Sequence, residues 1–343
     1  MKRIVISVLV YFVWAFASLS LLTAATPISW AQTNTPVAFA QAVGDLNLLL
    51  QEIEQAAHSV DYSGSYTLSN GGQVEDLQTI SVQDGLGLKQ RTISSAYPGV
   101  ELIRQNQDWY ELLPQAHLAY AVSSMPALFP AVLTKANDLN KYYRGFQINE
   151  AKHLADRLCT PYSVISIEAD RPNWYFCVDT ENSLLLERHV IDPSKRFMVY
   201  TRFNEVRFGA DVDVAQASPS VEVTSLLVKT PERVSVNLQK SGWRFSFPDG
   251  FEILSSQQLG TGTSPSTIQL VLSDGLSVFS IFIQKLSEQE KLLSIEPMMQ
   301  LHSTSMYAHR IDDYMVMVAG MMPMKTLKEV ASSATFIPPV VNQ

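Results

Sequence analysis

Two cysteines, Cys159 and Cys177, are all that the 343 residues contain. So few exclude a Cys-only zinc site and a disulfide-dense scaffold. Charged residues make up only 17% of the chain, with no block of Lys or Arg, and the net charge is −8. A chain this acidic is a poor partner for nucleic acid. No Gly-x-Ser-x-Gly elbow, phosphate-binding Gly-rich loop or His-Glu-x-x-His is present. The six histidines (His58, His117, His153, His189, His302 and His309) are scattered, without ligand spacing. No residue is therefore a candidate for catalysis or for holding a metal or cofactor, and the expectation is a protein that is not an enzyme. A secreted hydrolase of unfamiliar type is the weakest alternative.

Apolar residues are 46% of the chain, which is ample for a core and excludes a disordered protein. The length suits one large or two ordinary domains. Lys2 and Arg3 precede an apolar stretch from Ile4 to about Ala25, then Pro27 breaks it. Ser29 and Ala31 are small residues two apart, so residues 1–31 read as a secretory signal cut after Ala31. An uncleaved anchor is the alternative, because the run approaches the ~20 residues that span a bilayer. No later run comes near that length. The expected mature protein is soluble and exported, with a net charge of −10 once Lys2 and Arg3 are removed from the total of −8.

Beyond a loose leader, Leu46, Leu49, Leu50, Ile53, Ala57 and Val60 form one apolar stripe at helical spacing. From Tyr62 the pattern turns to short strands, and Asn70-Gly71 marks a hairpin. Strands are expected near 73–82, 86–95, 99–105, 108–113 and 117–122. Residues 125–139, with Pro126 and Pro130 at helix starts, suggest one or two short helices. Strands resume near 143–149, 156–168, 173–179, 184–191 and 195–208. From 209 to 235 the chain becomes small and polar and reads as an interdomain connection. Residues 236–338 then read as a small sheet with a final helix opened by Pro323. In it Val316 and Val318 alternate with Met315 and Met317, so that strand is expected to be covered on both faces.

The expected fold class is α+β. A curved antiparallel half-barrel over residues 42–208 encloses short helices, and a small sheet-and-helix domain follows. The half-barrel interior either packs as a core or accepts an acyl chain. Candidate lining residues are Trp109, Tyr110, Leu112, Met125, Leu128, Phe129 and Val132. Trp243, Phe245 and Phe251 flank a Pro248-Asp249-Gly250 turn and are candidate partner-binding aromatics; the other reading is that they pack a small core. Cys159 and Cys177 sit on strands joined by a turn at 169–172. Pairing 168 with 173 puts Cys159 opposite 182 and Cys177 opposite 164, which argues mildly against a disulfide. The two remain either a bridge or a pair of buried thiols.

Several segments resemble the MucB/RseB family of periplasmic sigma-factor regulators. Ala155–Cys159 leads into the strand Tyr162–Glu168, and Phe176–Leu185 has a strand, an Asp179-Thr180 turn and a Leu-rich strand. Leu272–Ser280 is similar to a Ser-Asp-Gly-Leu hairpin in the family's small domain. Trp243 with Phe247–Phe251 is similar to its Trp and Leu-Pro-x-Gly-Phe. Met125–Leu128 and Tyr142-Tyr143 are weaker likenesses to its helical insert. Cys177 lies outside the pattern, and Arg171–Tyr175 stands where the family has a basic-aromatic turn. The likeness runs over nearly the whole mature chain in the expected order. It implies a large domain of the LolA/LolB lipoprotein-carrier type and a periplasmic location. It also implies a partner, the periplasmic segment of a membrane-anchored anti-sigma factor, which is shielded from proteolysis. Lipid or lipoprotein acyl chains are the implied signal, and a homo-oligomer is left open. The alternative is a periplasmic lipid or lipoprotein carrier with no regulatory role.

Overall fold

A computed structural model describes residues 40–71, 73–122, 129–132, 138–194, 197–230, 232–260, 267–291, 297–301 and 304–338. The leader with its cleavage site, and the candidates Met125 and Leu128, lie outside the described residues.

The first helix is Leu46–Ser59. Asp45 starts it by accepting from the backbone N–H groups of Asn47 and Leu48, which would otherwise be orphaned. Its buried face is Leu46, Leu49, Leu50, Ile53, Ala56 and Ala57, the stripe read from the sequence. Val60 is the capping residue, where the backbone turns extended.

Around this helix wraps an open, curved 14-stranded sheet. Its strands are β1 (Ala40–Ala42), β2 (Tyr62–Asn70), β3 (Gln73–Asp84), β4 (Gly87–Ser94), β5 (Glu101–Gln105), β6 (Asp108–Leu113) and β7 (Leu118–Val122). They continue as β8 (Tyr143–Ile148), β9 (Lys152–Leu154), β10 (Arg157–Ser166), β11 (Asn173–Asp179), β12 (Leu185–Ile191), β13 (Phe197–Phe208) and β14 (Leu227–Lys229). The spatial order is β1-β8-β10-β11-β12-β13-β2-β3-β4-β5-β6-β7-β14, with β9 beside β10. Long meanders keep sequence neighbours adjacent. The exception at the centre is β13, which returns to pair with β2 and so closes the two halves of the sheet into one surface.

The buried apolar face of the sheet changes sides along it. On β2 and β10–β13 it faces the helix, where Tyr62, Tyr66, Val164, Trp174, Phe176 and Phe203 join Leu46, Leu50 and Ile53 in one core. On β3–β7 most of the buried apolar residues point the other way. Ile80 and Val82 meet Val212 and Ala217, and Ile103, Leu112 and Ala119 meet Val223 and Leu226. The cover for that outer face is the segment 209–229. It is a series of short 3-10 turns ending in β14, which runs parallel to β7. A few apolar anchors and hydrogen bonds to an ion pair on the sheet hold it down. Arg91 Nε pairs with Glu101 at 2.7 Å, and the same carboxylate accepts from Ser220 N.

The chain then enters a second sheet, with order β15-β17-β18-β19-β22-β21-β20. These strands are β15 (Glu232–Ser235), β17 (Glu252–Gly260), β18 (Thr267–Ser273), β19 (Val278–Lys285), β20 (Met298–Leu301), β21 (Thr304–Ile311) and β22 (Tyr314–Gly320). Two short strands, β16 (Trp243–Arg244) and β23 (Thr335–Phe336), pair with each other. The helix Met324–Ser332 lays Leu327, Val330 and Ala331 against Leu270, Ile281, Val316 and Val318. On the opposite face Met317, Phe282, Met306 and Ala319 form a second cluster, so β22 is covered on both sides.

The candidate site: a large-domain interior and an interdomain joint

Strand alternation decides where the candidate lining residues sit. Phe129 (3% exposed) and Val132 (2% exposed) are within the main core. The Phe129 ring lies 5.2 Å from Tyr66 and 5.0 Å from Phe203, so it is packed among aromatics. Tyr110 and Leu112 point away from the helix. Leu112 is fully buried under Val223 and Leu226, and Tyr110 packs on the same cluster, so neither lines the interior. Trp109, one residue along, is on the helix-facing side, half-buried, with the Arg104 guanidinium 5.4 Å from its ring centre.

The wall that Trp109 shares is polar. Thr79 and Thr92 join their hydroxyls at 3.0 Å, and Ser81 and Gln90 are buried beside them. Arg104 reaches the helix, with Nη1 2.8 Å from His58 Nε2. A guanidinium can only donate, so His58 Nε2 accepts this bond, and burial, aided by Arg104, pulls the His58 pKa down. Glu54, one helical turn earlier, accepts from Val132 N at 2.9 Å. Burial outweighs that bond and lifts its pKa to about 6. Glu111, two residues beyond Trp109, is pushed up to about 7 by burial.

A stability prediction follows for Glu111. Its folded pKa lies above the ordinary carboxyl value, so between those pH values the folded protein binds a proton the unfolded chain has lost. Stability therefore falls as pH rises through that window. Glu111→Gln removes this loss. Melting temperatures of variant and wild type should diverge, in the variant's favour, between pH 5 and pH 8. Parallel curves over that range would count against a desolvated carboxyl.

The second feature lies where the two domains meet, and no local sequence pattern points to it. Arg171, on the turn between β10 and β11, is 2% exposed, and Asp274, at the tip of the β18–β19 hairpin, is 0% exposed. Arg171 Nη1 donates to Asp274 Oδ2 at 2.9 Å, and Nη2 donates to the Asp249 carbonyl at 2.9 Å. The guanidinium lies 4.8 Å from the Tyr142 ring centre, 5.7 Å from Tyr143 and 5.1 Å from Phe251. Tyr143 donates to Asp274 Oδ2 at 2.8 Å and shares a bond of 2.8 Å with Ser277 Oγ. Burial and the adjacent Asp274 charge drive the Tyr143 pKa well up, so it remains a neutral phenol. Thr326 Oγ1 donates to the Asp170 carbonyl at 2.6 Å. Leu276, from the same hairpin tip, inserts into the large domain's core. Gly250 sits at φ +84, and a Cβ there would fall 2.4 Å from the Tyr142 ring. The close approach of the domains therefore needs glycine at that point.

Of the partner-binding candidates, Trp243 (2% exposed) and Phe251 (7% exposed) are small-domain core residues. Trp243 is enclosed by Tyr314 and Phe336, with ring centres at 5.3 and 4.9 Å. Phe245 is half-buried and stacks between Trp243 and Phe247 at 6.1 and 6.0 Å. It is the member of the three that reaches the surface.

Cys159 and Cys177 are joined, with Cα atoms 5.4 Å apart. The register differs from the expected one: Cys159 is opposite Asp179, and Cys177 is opposite Pro161. The two cysteines are thus diagonal neighbours on one face. With Val164 opposite Trp174, the turn centres on Ala169, which sits in the left-handed region (φ 54), earlier than a 168–173 pairing requires.

These features describe a two-domain, strand-rich protein: an open curved sheet around one helix, with a small sheet-and-helix domain docked by a buried ion pair. The MucB/RseB N-terminal domain model matches residues 45–221, and the MucB/RseB C-terminal domain model matches residues 237–335. The chain belongs to the MucB/RseB family. It is similar to the sigma-E factor regulatory protein RseB of Escherichia coli (strain K12), at 24% identity over 341 residues, covering 93% of this chain and 97% of the relative. Its likeness to RseB of Salmonella typhimurium (strain 14028s / SGSC 2262) is 24% over 310 residues, covering 84% and 90%. In fold it is similar to MucB in the Pseudomonas aeruginosa MucA/MucB complex, with TM-score 0.66 and 19% identity over 84% of this chain and 98% of that one. A crystal structure of MucB gives TM-score 0.58 at 19% identity, covering 84% and 97%.

Proposed function

We propose that the protein is a periplasmic negative regulator of an extracytoplasmic-function sigma factor. In this reading it is exported, cut after Ala31, and binds the periplasmic segment of an anti-sigma factor, shielding it from proteolysis. It acts by binding, without catalysis. The observation that carries the reading is the match to both family domains, in order, over 45–221 and 237–335. The relatives that share this layout are named as sigma-E regulatory proteins, and one solved relative is a complex with MucA. The working units are the large and small domains. The connection runs over 209–235, of which 209–229 stays on the large sheet.

The large domain is proposed to sense lipid or lipoprotein acyl chains, entering on the helix-facing side beside Trp109. Such a signal acts only if its affinity differs between free and partner-bound protein. A tenfold loss of partner affinity needs about 1.4 kcal/mol of coupling.

The test uses residues 32–343 and the purified periplasmic segment of the same organism's anti-sigma factor. Calorimetry should record a stoichiometric complex, and a protease that cuts the free segment should spare it in the complex. Adding a short-chain lipid or lipopeptide should weaken binding about tenfold, the 1.4 kcal/mol step above. Absence of any complex would end the regulator reading. Lipid uptake with no complex would leave the carrier.

A further inference from the structure

The charges at the interdomain joint are partitioned atom by atom. Arg171 forks onto its own neighbour Asp170, with Nε to Oδ1 at 2.7 Å and Nη2 to Oδ2 at 2.9 Å. Its bonds to Asp274 and to the Asp249 carbonyl are the ones that cross between domains. Asp274 is divided the same way. Its Oδ1 accepts from Leu276 N at 2.9 Å and Ser277 N at 2.7 Å, inside its own hairpin. Its Oδ2 takes the cross-domain donors Arg171 and Tyr143.

We propose that this joint is a two-state latch, able to open as a unit and reclose in one register. A buried ion pair is costly to break chiefly because separation strands a charge without partners. Here neither charge is stranded. Arg171 leaves with Asp170, Asp274 leaves with two backbone N–H groups, and the freed atoms of both, with the Tyr143 hydroxyl, meet water. The apolar part of the joint is Leu276 and Met321 against the large-domain core, the Tyr142 ring under Gly250, and Phe251 beneath the guanidinium. Opening thus uncovers these few apolar contacts together with ionic and hydroxyl groups that hydrate well. On closing, the fixed geometry of the guanidinium fork and the directed hydroxyl bonds accept a single domain orientation. The latch is independent of which partner or lipid the protein serves.

The experiment measures a distance between domains in the mature protein. Spin labels are placed at Glu150→Cys and Lys328→Cys, exposed positions on the large and small domains. The native cysteines are bonded and buried, so they take no label. The wild type should show a dominant short distance and a minor, discrete longer one that grows in about 1 M urea, below the unfolding transition. Arg171→Met leaves the Asp274 Oδ2 facing no counter-charge, and the longer population should rise about tenfold or more. In Arg171→Met/Asp274→Asn the charge is gone while the Asn oxygen still accepts from Leu276 and Ser277, and the short distance should return. Should Arg171→Met fail to fold, Tyr143→Phe serves instead, since it keeps the ring and loses both hydroxyl bonds; it should shift the distribution the same way. An unchanged distribution in the variant, a shift that the double variant does not reverse, or a wild type with one distance at every urea concentration would overturn the latch.

Discussion

Trp243→Ala lowers the stability of the small domain by about 3–5 kcal/mol, the usual cost of emptying an aromatic core position. The side chain is 2% exposed, bordered by the rings of Phe245, Tyr314 and Phe336. Its strand residue pairs with Phe336 across the short β16–β23 ladder, so the indole ties the domain's two ends together. The variant should show an early small-domain transition in a denaturant titration, while the large-domain transition keeps its midpoint. Phe245→Ala, at the half-buried end of the same stack, should cost far less. The contrast separates core from contact residues in any binding assay. Below the early transition, Trp243→Ala should bind the proposed partner segment as the wild type does. A variant that melts normally yet loses the partner would make Trp243 an interface anchor, contrary to its burial.

The strand pattern was largely legible because a sheet writes its period into the sequence. The N-terminal stripe likewise predicted the helix face that Leu46, Leu49, Leu50 and Ile53 bury. What alternation cannot say is which side of a strand faces the helix. Trp109 and Leu112 look alike in the sequence because both are large and apolar, but odd and even positions of β6 face opposite ways. The fully buried position there, Leu112, is an outer one, since residues 209–229 cover it. That segment reads as a connection because its anchors are few. Val212, Ala217, Val223 and Leu226 are spread through small polar residues, and no period links them. The joint was less legible still. Arg171 and Asp274 are 103 positions apart and Tyr143 and Asp274 are 131 apart; a polar contact of that separation leaves no local trace. The available signal is Ser273-Asp274-Gly275 inside an otherwise apolar hairpin, a pattern that any turn satisfies. The same holds for Gly250, whose role depends on a ring from the other domain.

Removing the disulfide gives the second large effect. Cys159 and Cys177 are separated by 18 positions, and a closed loop of that size restrains the unfolded chain by about 3 kcal/mol. The bond ties β10 to β11 within the large sheet, beside Arg157, whose guanidinium grips Asp179 at 2.8 Å and 3.0 Å. Cys159→Ala/Cys177→Ala should therefore lower the large-domain transition by roughly 2–4 kcal/mol and leave the small-domain transition in place. Both sulfur-bearing residues are 0% exposed, so access requires opening of the sheet. Native protein should take up no thiol reagent, and a mild reductant should act slowly until denaturant is added. After reduction under denaturing conditions, two alkylations should appear. Protein made in a reducing compartment should match the double variant and gain stability when an added oxidant such as oxidised glutathione closes the bond. Equal stability of oxidised protein and double variant would mean that residual structure already constrains this hairpin in the unfolded chain. Two alkylations of the native protein without reductant would show that the bond is absent.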